Sequence, residues 1–156
     1  MKKEVLSKRI RTTSRKERVL TILDRDGTLV EFVSYLGKDE GWKDQTKLKP
    51  EVVNLLKYIQ KNYKNKLFIV TNQAGVARKY YDCKRVEEIN KFIENKLVKH
   101  RIKIDGWNYC PDVDKNHVTK NLEIDFDSKF IKKQTGRKPA VNMVLELLSK
   151  SNLSFS

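Results

Sequence analysis

Val19-Leu20-Thr21-Ile22-Leu23-Asp24-Arg25-Asp26-Gly27-Thr28-Leu29 decides the fold of this 156-residue chain. The apolar residues from Leu20 to Leu23 do not alternate with polar ones, which predicts a short strand buried on both faces, as in a parallel sheet. That strand runs straight into two carboxylates. Asp24 and Asp26 lie two apart at a strand end and so point the same way, an arrangement suited to attack on phosphorus by one carboxylate with proton transfer by the other. Gly27 and Thr28 allow a sharp turn just beyond, with backbone N–H groups left free for an anion.

Two further stretches belong with it. Lys66 to Thr71 reads as a second buried strand, and it ends in Thr71-Asn72-Gln73-Ala74-Gly75-Val76-Ala77-Arg78. In a parallel sheet the carboxyl ends of neighbouring strands lie side by side, so Thr71 is expected close to Asp24 and Asp26, where its hydroxyl could hold phosphoryl oxygens. The third stretch, Gly136-Arg137-Lys138-Pro139, precedes a predicted last helix. A lysine at that helix start can neutralise the phosphoryl oxygens and the nucleophile together.

Between these stretches the pattern is α/β. Pro50 opens a predicted helix with Val52, Leu55, Leu56, Ile59 and Tyr63 on one face. Strand, helix and second buried strand make a right-handed parallel crossover. Asp82 is expected to cap the next helix, whose core stripe is Val86, Ile89, Ile93 and Leu97, with Phe92 as packing. Ile104 to Cys110 is a third strand. Residues 30–49, with Phe32, Tyr35 and Trp42, read as a loop or flap over the site. In residues 112–136 only Leu122, Ile124 and Phe126 alternate, as a short strand would. Pro139 is expected to restart a helix with Val141, Val144, Leu145 and Leu148 on its inner face. Residues 1–18 form a basic leader, expected to be poorly ordered, and residues 19–156 the single domain.

Composition bounds the partners. The net charge is +14, which favours phosphorylated small molecules, nucleic acid or acidic membrane surfaces without choosing among them. No apolar run approaches membrane-spanning length, and no secretory signal follows the basic start. Two distant cysteines, Cys83 and Cys110, argue against a disulfide framework and fit a reducing cytoplasm.

Asp24-Arg25-Asp26-Gly27-Thr28, followed in order by Thr71-Asn72-Gln73 and Arg137-Lys138-Pro139, resembles the haloacid dehalogenase-like (HAD) phosphatases. The Thr-Asn-Gln tripeptide is similar to the branch holding heptose bisphosphate, histidinol-phosphate and polynucleotide 3′-phosphatases, and Gly-Val-Ala-Arg behind it is most similar to the heptose bisphosphate group. The resemblance implies a Rossmann-like parallel sheet and a Mg²⁺-dependent phosphomonoesterase. It makes Asp24 the nucleophile that becomes an aspartyl-phosphate, Asp26 the general acid and base, and both of them metal ligands. Thr71, Asn72 and Lys138 become the phosphoryl clamp, and Arg78 with Arg137 the substrate grip. The gaps between motifs are too short for a cap domain, so the enzyme is expected to be capless. A sugar bisphosphate such as a heptose bisphosphate is the first substrate expected. A polynucleotide 3′-phosphatase and a non-catalytic phosphate-binding module are the competing readings.

Three departures from that pattern carry their own expectations. Members of the heptose and histidinol branches often hold zinc through Cys-x-His and Cys-x-Cys pairs. Here Cys110-Pro111-Asp112 and Gln134-Thr135-Gly136 stand in their places, with His117 the only other nearby candidate, so no zinc is expected. Asp112, Asp114, Asn116 and Glu123 match part of a calcium-loop spacing, but His117 stands where that loop turns on Gly, and they read better as solvated carboxylates. Finally, no acidic pair follows Lys138 to complete the Mg²⁺ site, and the strand that would carry it is missing. The chain is therefore expected to be truncated at its C-terminus, with Leu20 to Leu23 an exposed sheet edge prone to self-association.

Overall fold

The computed structural model describes residues 16–151. Most of the basic leader thus lies outside the described residues. Its last residues do not stand apart from the domain: the first strand already begins at Arg18, and the Lys64 N–H donates to the Glu17 carbonyl at 2.8 Å.

Three parallel strands form the sheet: β1 (Arg18–Asp24), β2 (Lys64–Asn72) and β3 (Gly106–Cys110), in the order β1-β2-β3. Two helices make the crossovers, α2 (Pro50–Asn62) from β1 to β2 and α3 (Cys83–Lys99) from β2 to β3. A one-turn helix, α1 (Trp42–Gln45), precedes α2. After β3 the chain makes β4 (Val113–Asp114), α4 (Lys115–Thr119), β5 (Ile131–Lys132) and the last helix α5 (Asn142–Lys150), with β4 and β5 paired in parallel as a separate small sheet. Among the described residues no segment between the motifs forms a cap domain, as the motif spacing implied.

Central strand β2 organises both cores. Its side chains alternate between the faces, as a pleated strand must. Leu67 and Ile69 meet Val53 and Leu56 of α2 and Ile89, Ile93 and Leu97 of α3, whereas Phe68 and Val70 meet Met143 and Leu147 of α5. Each such side chain, fully buried, contributes about 1.5–3 kcal/mol. Helix α3 bears out its predicted stripe, with Val86, Ile89, Ile93 and Leu97 all inaccessible, and Asp82 caps it by accepting from the Arg85 N–H at 2.8 Å. Phe92 packs edge-to-face on Trp42, as expected of a packing residue.

Several expectations need correction. Strand β1 is not buried on both faces: its apolar residues are only half-buried, because among the described residues β1 is the edge of the sheet, with β2 on one side alone. Trp42 is no flap residue but part of the core, at 5% exposure, while Phe32 is exposed. In α2 the buried positions are Val53 and Leu56, and Leu55 faces out, since the helix presents its i, i+3 pair to β2. The third strand begins at Gly106, with Ile104 buried just before it. Residues 122, 124 and 126 form no strand; Leu122 lies in a turn and is exposed, and the small sheet is made by Val113–Asp114 and Ile131–Lys132 instead. Helix α5 starts at Asn142 rather than at Pro139, after a turn closed by the Ala140 N–H on the Arg137 carbonyl. Its buried face is Met143 and Leu147, with Val141 and Leu145 exposed. Leu147 settles where Gly106 lacks a side chain, a spot at which an added Cβ would come within 2.9 Å of it.

Candidate active site

Sheet pairing builds the site. Asp24 pairs in register with Val70, so the carboxyl ends of β1 and β2 finish together and bring the first two motifs side by side. Gly27 then turns the chain with φ +79°, a conformation that suits glycine. The turn is closed by the Leu29 and Val30 N–H groups on the Arg25 carbonyl, both at 3.0 Å. The sharp turn expected at Gly27 is therefore present.

Lys138 reaches into this site from the other side of the sheet. Its Nζ lies 2.7 Å from Asp24 Oδ1 and donates to the Val70 carbonyl at 3.2 Å. Asn72 holds the lysine in place, accepting from the Lys138 N–H at 2.9 Å and donating to its carbonyl at 3.3 Å. Lys138 thus does meet the first carboxylate, though from a loop four residues ahead of α5 rather than from a helix start. Asn72 acts here on Lys138.

Asp26 is gripped more tightly. The Arg25 Nε donates to both its oxygens, at 3.1 and 3.2 Å, the Thr71 hydroxyl donates to Oδ2 at 3.0 Å, and Gln73 Nε2 donates to Oδ2 at 2.7 Å. Thr71 therefore lies where expected, but its buried hydroxyl is used on Asp26 rather than facing outward. Arg25 and Gln73 were not singled out from sequence. Arg25 is wholly inaccessible, with Nη1 donating to Asn90 Oδ1 of α3 at 2.8 Å and Nη2 unpartnered. A charged residue flanked by two motif aspartates reads naturally as solvent-facing; only the contact with Asn90, 65 positions away, shows otherwise. Gln73 accepts at Oε1 from the Tyr81 hydroxyl at 3.0 Å, and burial raises the Tyr81 pKa well above the ordinary phenol range. Tyr81 packs on Gly75, where an added Cβ would fall 2.3 Å from the ring, so this glycine serves close approach.

A cavity of about 260 Å³ opens beside Asp26. Asn72, Gln73, His117 and Arg137 give it a polar side, and Phe32, Val33 and Leu36 an apolar one. Arg137 lines this cavity, and its Nη1 is buried without a partner. Arg78 does not stand there. It is 8% exposed, donates through Nη2 to Asn121 Oδ1 at 2.9 Å and meets His117 Nε2 at 3.0 Å, with its guanidinium over the Tyr35 and Phe126 rings at 5.4 and 5.2 Å. Two polar partners and two aromatic rings thus engage Arg78 beside the cavity-lining His117 and Tyr35. Asp114, one of the carboxylates with calcium-loop spacing, caps α4 by accepting from the His117 N–H at 2.7 Å.

The donor set for Mg²⁺ is small. Asp24 is partly open to solvent, and only its Oδ1 is engaged, by Lys138 and by the Arg25 N–H. Oδ2 and the Asp26 carbonyl are thus available. One carboxylate oxygen and one carbonyl, with water completing an octahedron, fit a hydrated Mg²⁺. Among the described residues no group of three His, Cys, Asp or Glu side chains adds to them.

Residues 19–156 match the family model described as polynucleotide kinase 3 phosphatase. The chain belongs to that family. The HAD-type phosphatase membership expected from the three motifs holds, and so does the likeness to the heptose bisphosphate branch. D-glycero-alpha-D-manno-heptose-1,7-bisphosphate 7-phosphatase of Photorhabdus laumondii is 34% identical over 92 residues, covering 59% of this chain and 48% of that protein. The probable D-glycero-D-manno-heptose-1,7-bisphosphate 7-phosphatase of Thermoplasma acidophilum is 30% identical over 90 residues, covering 57% and 52%. This family member therefore spans about half the length of the curated relatives it matches. In fold it resembles the D,D-heptose 1,7-bisphosphate phosphatase of B. bronchiseptica, solved with magnesium and phosphate, at TM-score 0.63 and 20% identity over 86% of this chain and 64% of that one. It also resembles a HAD-like protein of Mesorhizobium loti, at TM-score 0.67 and 22% identity over 86% and 57%. Among the described residues no helix is long and apolar enough to cross a membrane.

Proposed function

We propose that this domain is a Mg²⁺-dependent phosphomonoesterase acting through an aspartyl-phosphate, with a sugar bisphosphate such as D-glycero-D-manno-heptose 1,7-bisphosphate as substrate. The observation that carries this reading is the 2.7 Å contact of Lys138 with Asp24, beside an Asp26 fixed by three side chains. Asp24 attacks phosphorus through a carboxylate oxygen, the bond from phosphorus to the leaving oxygen breaks, and Asp26 gives that oxygen its proton. Asp26 then takes a proton from the water that attacks the aspartyl-phosphate, which releases phosphate and restores the Asp24 carboxylate. Lys138 holds Asp24 and meets the charge on the transferring oxygens. Mg²⁺, held by Asp24 and the Asp26 carbonyl, would supply further neutralisation of phosphoryl charge.

Arg25, Thr71 and Gln73 orient Asp26, and Asn72 orients Lys138. The proposed roles of Thr71 and Asn72 in clamping the phosphoryl group are thus exercised through Asp26 and Lys138, and Arg137 is assigned to the part of the substrate beyond that group. The test is phosphate release from the heptose bisphosphate with and without Mg²⁺, together with mass spectrometry of the quenched enzyme for a phosphoryl group on Asp24. Mg²⁺-dependent release supports the reading; binding without release points to a non-catalytic module.

A second reading has its own support. The family model carries a polynucleotide description, and the net charge is +14. A groove of about 740 Å³ that shares Tyr81 with the cavity carries Lys38, Lys79, Lys84, Arg85 and Lys129 in its lining against Glu40, Asp82 and Asp127. A 3′-phosphorylated oligonucleotide assayed at two salt concentrations separates the readings, because binding of a polyanion falls steeply with salt.

A further inference from the structure

The inference rests on the phosphatase reading and concerns how the cavity beyond the phosphoryl site chooses its occupant. His117 lines that cavity with Arg137, and its Nε2 lies 3.0 Å from Arg78 Nη2. A guanidinium is a donor with no acceptor and stays charged in proteins, so Nε2 must present its lone pair to it. The imidazole is then neutral and carries its proton on Nδ1, a tautomer set by the partner of the other nitrogen. Burial, Arg137 and Arg78 lower the pKa of His117 below its ordinary value, which agrees with a neutral ring. Arg78 is itself fixed by Asn121, Tyr35 and Phe126, and Phe126 also packs edge-to-face on the imidazole at 5.8 Å. The main chain of His117 is anchored at both ends, by Asp114 at its N–H and by Asn121 at its carbonyl.

We infer that His117 is a specificity-determining residue of the phosphatase, a neutral hydrogen-bond donor through Nδ1–H to an oxygen on the distal part of a phosphorylated polyol, and that Arg78 is the positioning residue that sets its tautomer. The cavity has the composition such a substrate needs. Arg137 supplies the one full positive charge, His117 an uncharged donor, and Phe32, Val33 and Leu36 an apolar wall for the carbon skeleton. A neutral donor next to a fixed cation suits a hydroxyl or a second phosphate on the sugar and gives nothing to a bare phosphate.

Two substitutions separate this role from a merely structural one. His117→Gln keeps an acceptor near the Nε2 position for Arg78 and loses the donor at the Nδ1 position; His117→Asn does the reverse. Each is made in an Asp24→Asn background, so that binding is read without turnover. Calorimetry with Mg²⁺ then compares D-glycero-D-manno-heptose 1,7-bisphosphate with inorganic phosphate. The Gln variant is expected to lose on the order of tenfold to a hundredfold in affinity for the bisphosphate relative to phosphate, the worth of a hydrogen bond to a charged or strongly polar group. The Asn variant should keep more of that preference. A Gln variant with the parent's preference overturns the inference, as does a parent that binds the bisphosphate no more tightly than phosphate. A structural role predicts the opposite order, Gln close to the parent and Asn impaired. Failure of the phosphatase reading is seen separately, as absence of phosphate release by the chain with Asp24 intact.

Discussion

Asp26, in the lining of the proposed substrate cavity, and Arg78, behind its lining residues Tyr35 and His117, are both charged and held by several partners, but by different means. The partners of Asp26 sit on or just beyond strand ends: Arg25 and Thr71 follow from β1 and β2, whose pairing is set from Arg18 with Lys64 to Asp24 with Val70. The polar partners of Arg78 come from α4 and the turn after it, in a segment whose small sheet has only two residues per strand. Where regular pairing supplies the geometry, a polar cluster is fixed by register. Where it does not, the cluster must hold itself, and here it does so by stacking a guanidinium between two aromatic rings.

The largest effects should fall on the register-fixed side. Asp24→Asn is expected to abolish phosphate release, because an amide cannot serve as the nucleophile, while the melting temperature stays close to that of the parent. The amide oxygen can still accept from Lys138. Phosphate release at the parent's rate from a verified variant would remove the covalent mechanism. Asp26→Asn should slow turnover by about 10²- to 10⁴-fold, the usual worth of a positioned proton donor. Steady-state rates across a pH series check this, and an unchanged rate would show that another group moves the proton.

A smaller effect probes the deepest part of that cluster. Asn90 accepts from the buried Arg25 guanidinium at 2.8 Å, and another nitrogen of the same group already lacks a partner. Asn90→Ala leaves a second buried donor unsatisfied, and urea unfolding should show a loss of about 1–3 kcal/mol. A midpoint equal to the parent's would mean that water or a rearranged Arg25 takes the place of Asn90.

This contrast also explains what the sequence allowed one to read. Asp24, Asp26, Thr71 and Lys138 were legible because strand ends in a parallel sheet converge and because the residue types declare their chemistry. The stripe of α3 was legible because four apolar residues recur at helical spacing within a helix of 17 residues. Helices α2 and α5 were legible as helices but not in phase: each has apolar residues on more than one face, and contact with Ile69 or Gly106 chooses among them. The surroundings of Arg25 and Arg78 were not legible, for one reason. The type of a charged side chain does not say whether the fold will set a buried acceptor or an aromatic ring beside it. Nothing local to Arg78 announces Tyr35, His117, Asn121 and Phe126.

The smallest expected effect tests the self-held cluster directly, through pH. His117 has its pKa lowered below the ordinary value near 6.5, first by burial and then by Arg137 and Arg78, with Asp114 acting in the opposite direction. The folded state therefore binds this proton less readily than the unfolded chain, in which the imidazole titrates near its ordinary value. Between the two values the unfolded state holds more protons, so stability rises with pH across that window. The stabilisation associated with the neutral ring is fully present above about pH 6.5 and is lost as pH falls through the lowered value. Because the residue is only half-buried, solvent screening keeps the effect modest. Other groups also titrate between pH 7.5 and 5, so the informative quantity is a difference. His117→Gln lacks the ionisation but keeps an acceptor for Arg78, and its melting temperature should drop less on acidification than the parent's. Equal drops in the two proteins would mean that His117 does not meet Arg78 as a neutral acceptor in solution. The outer cluster would then be held by Asn121 and the two rings alone.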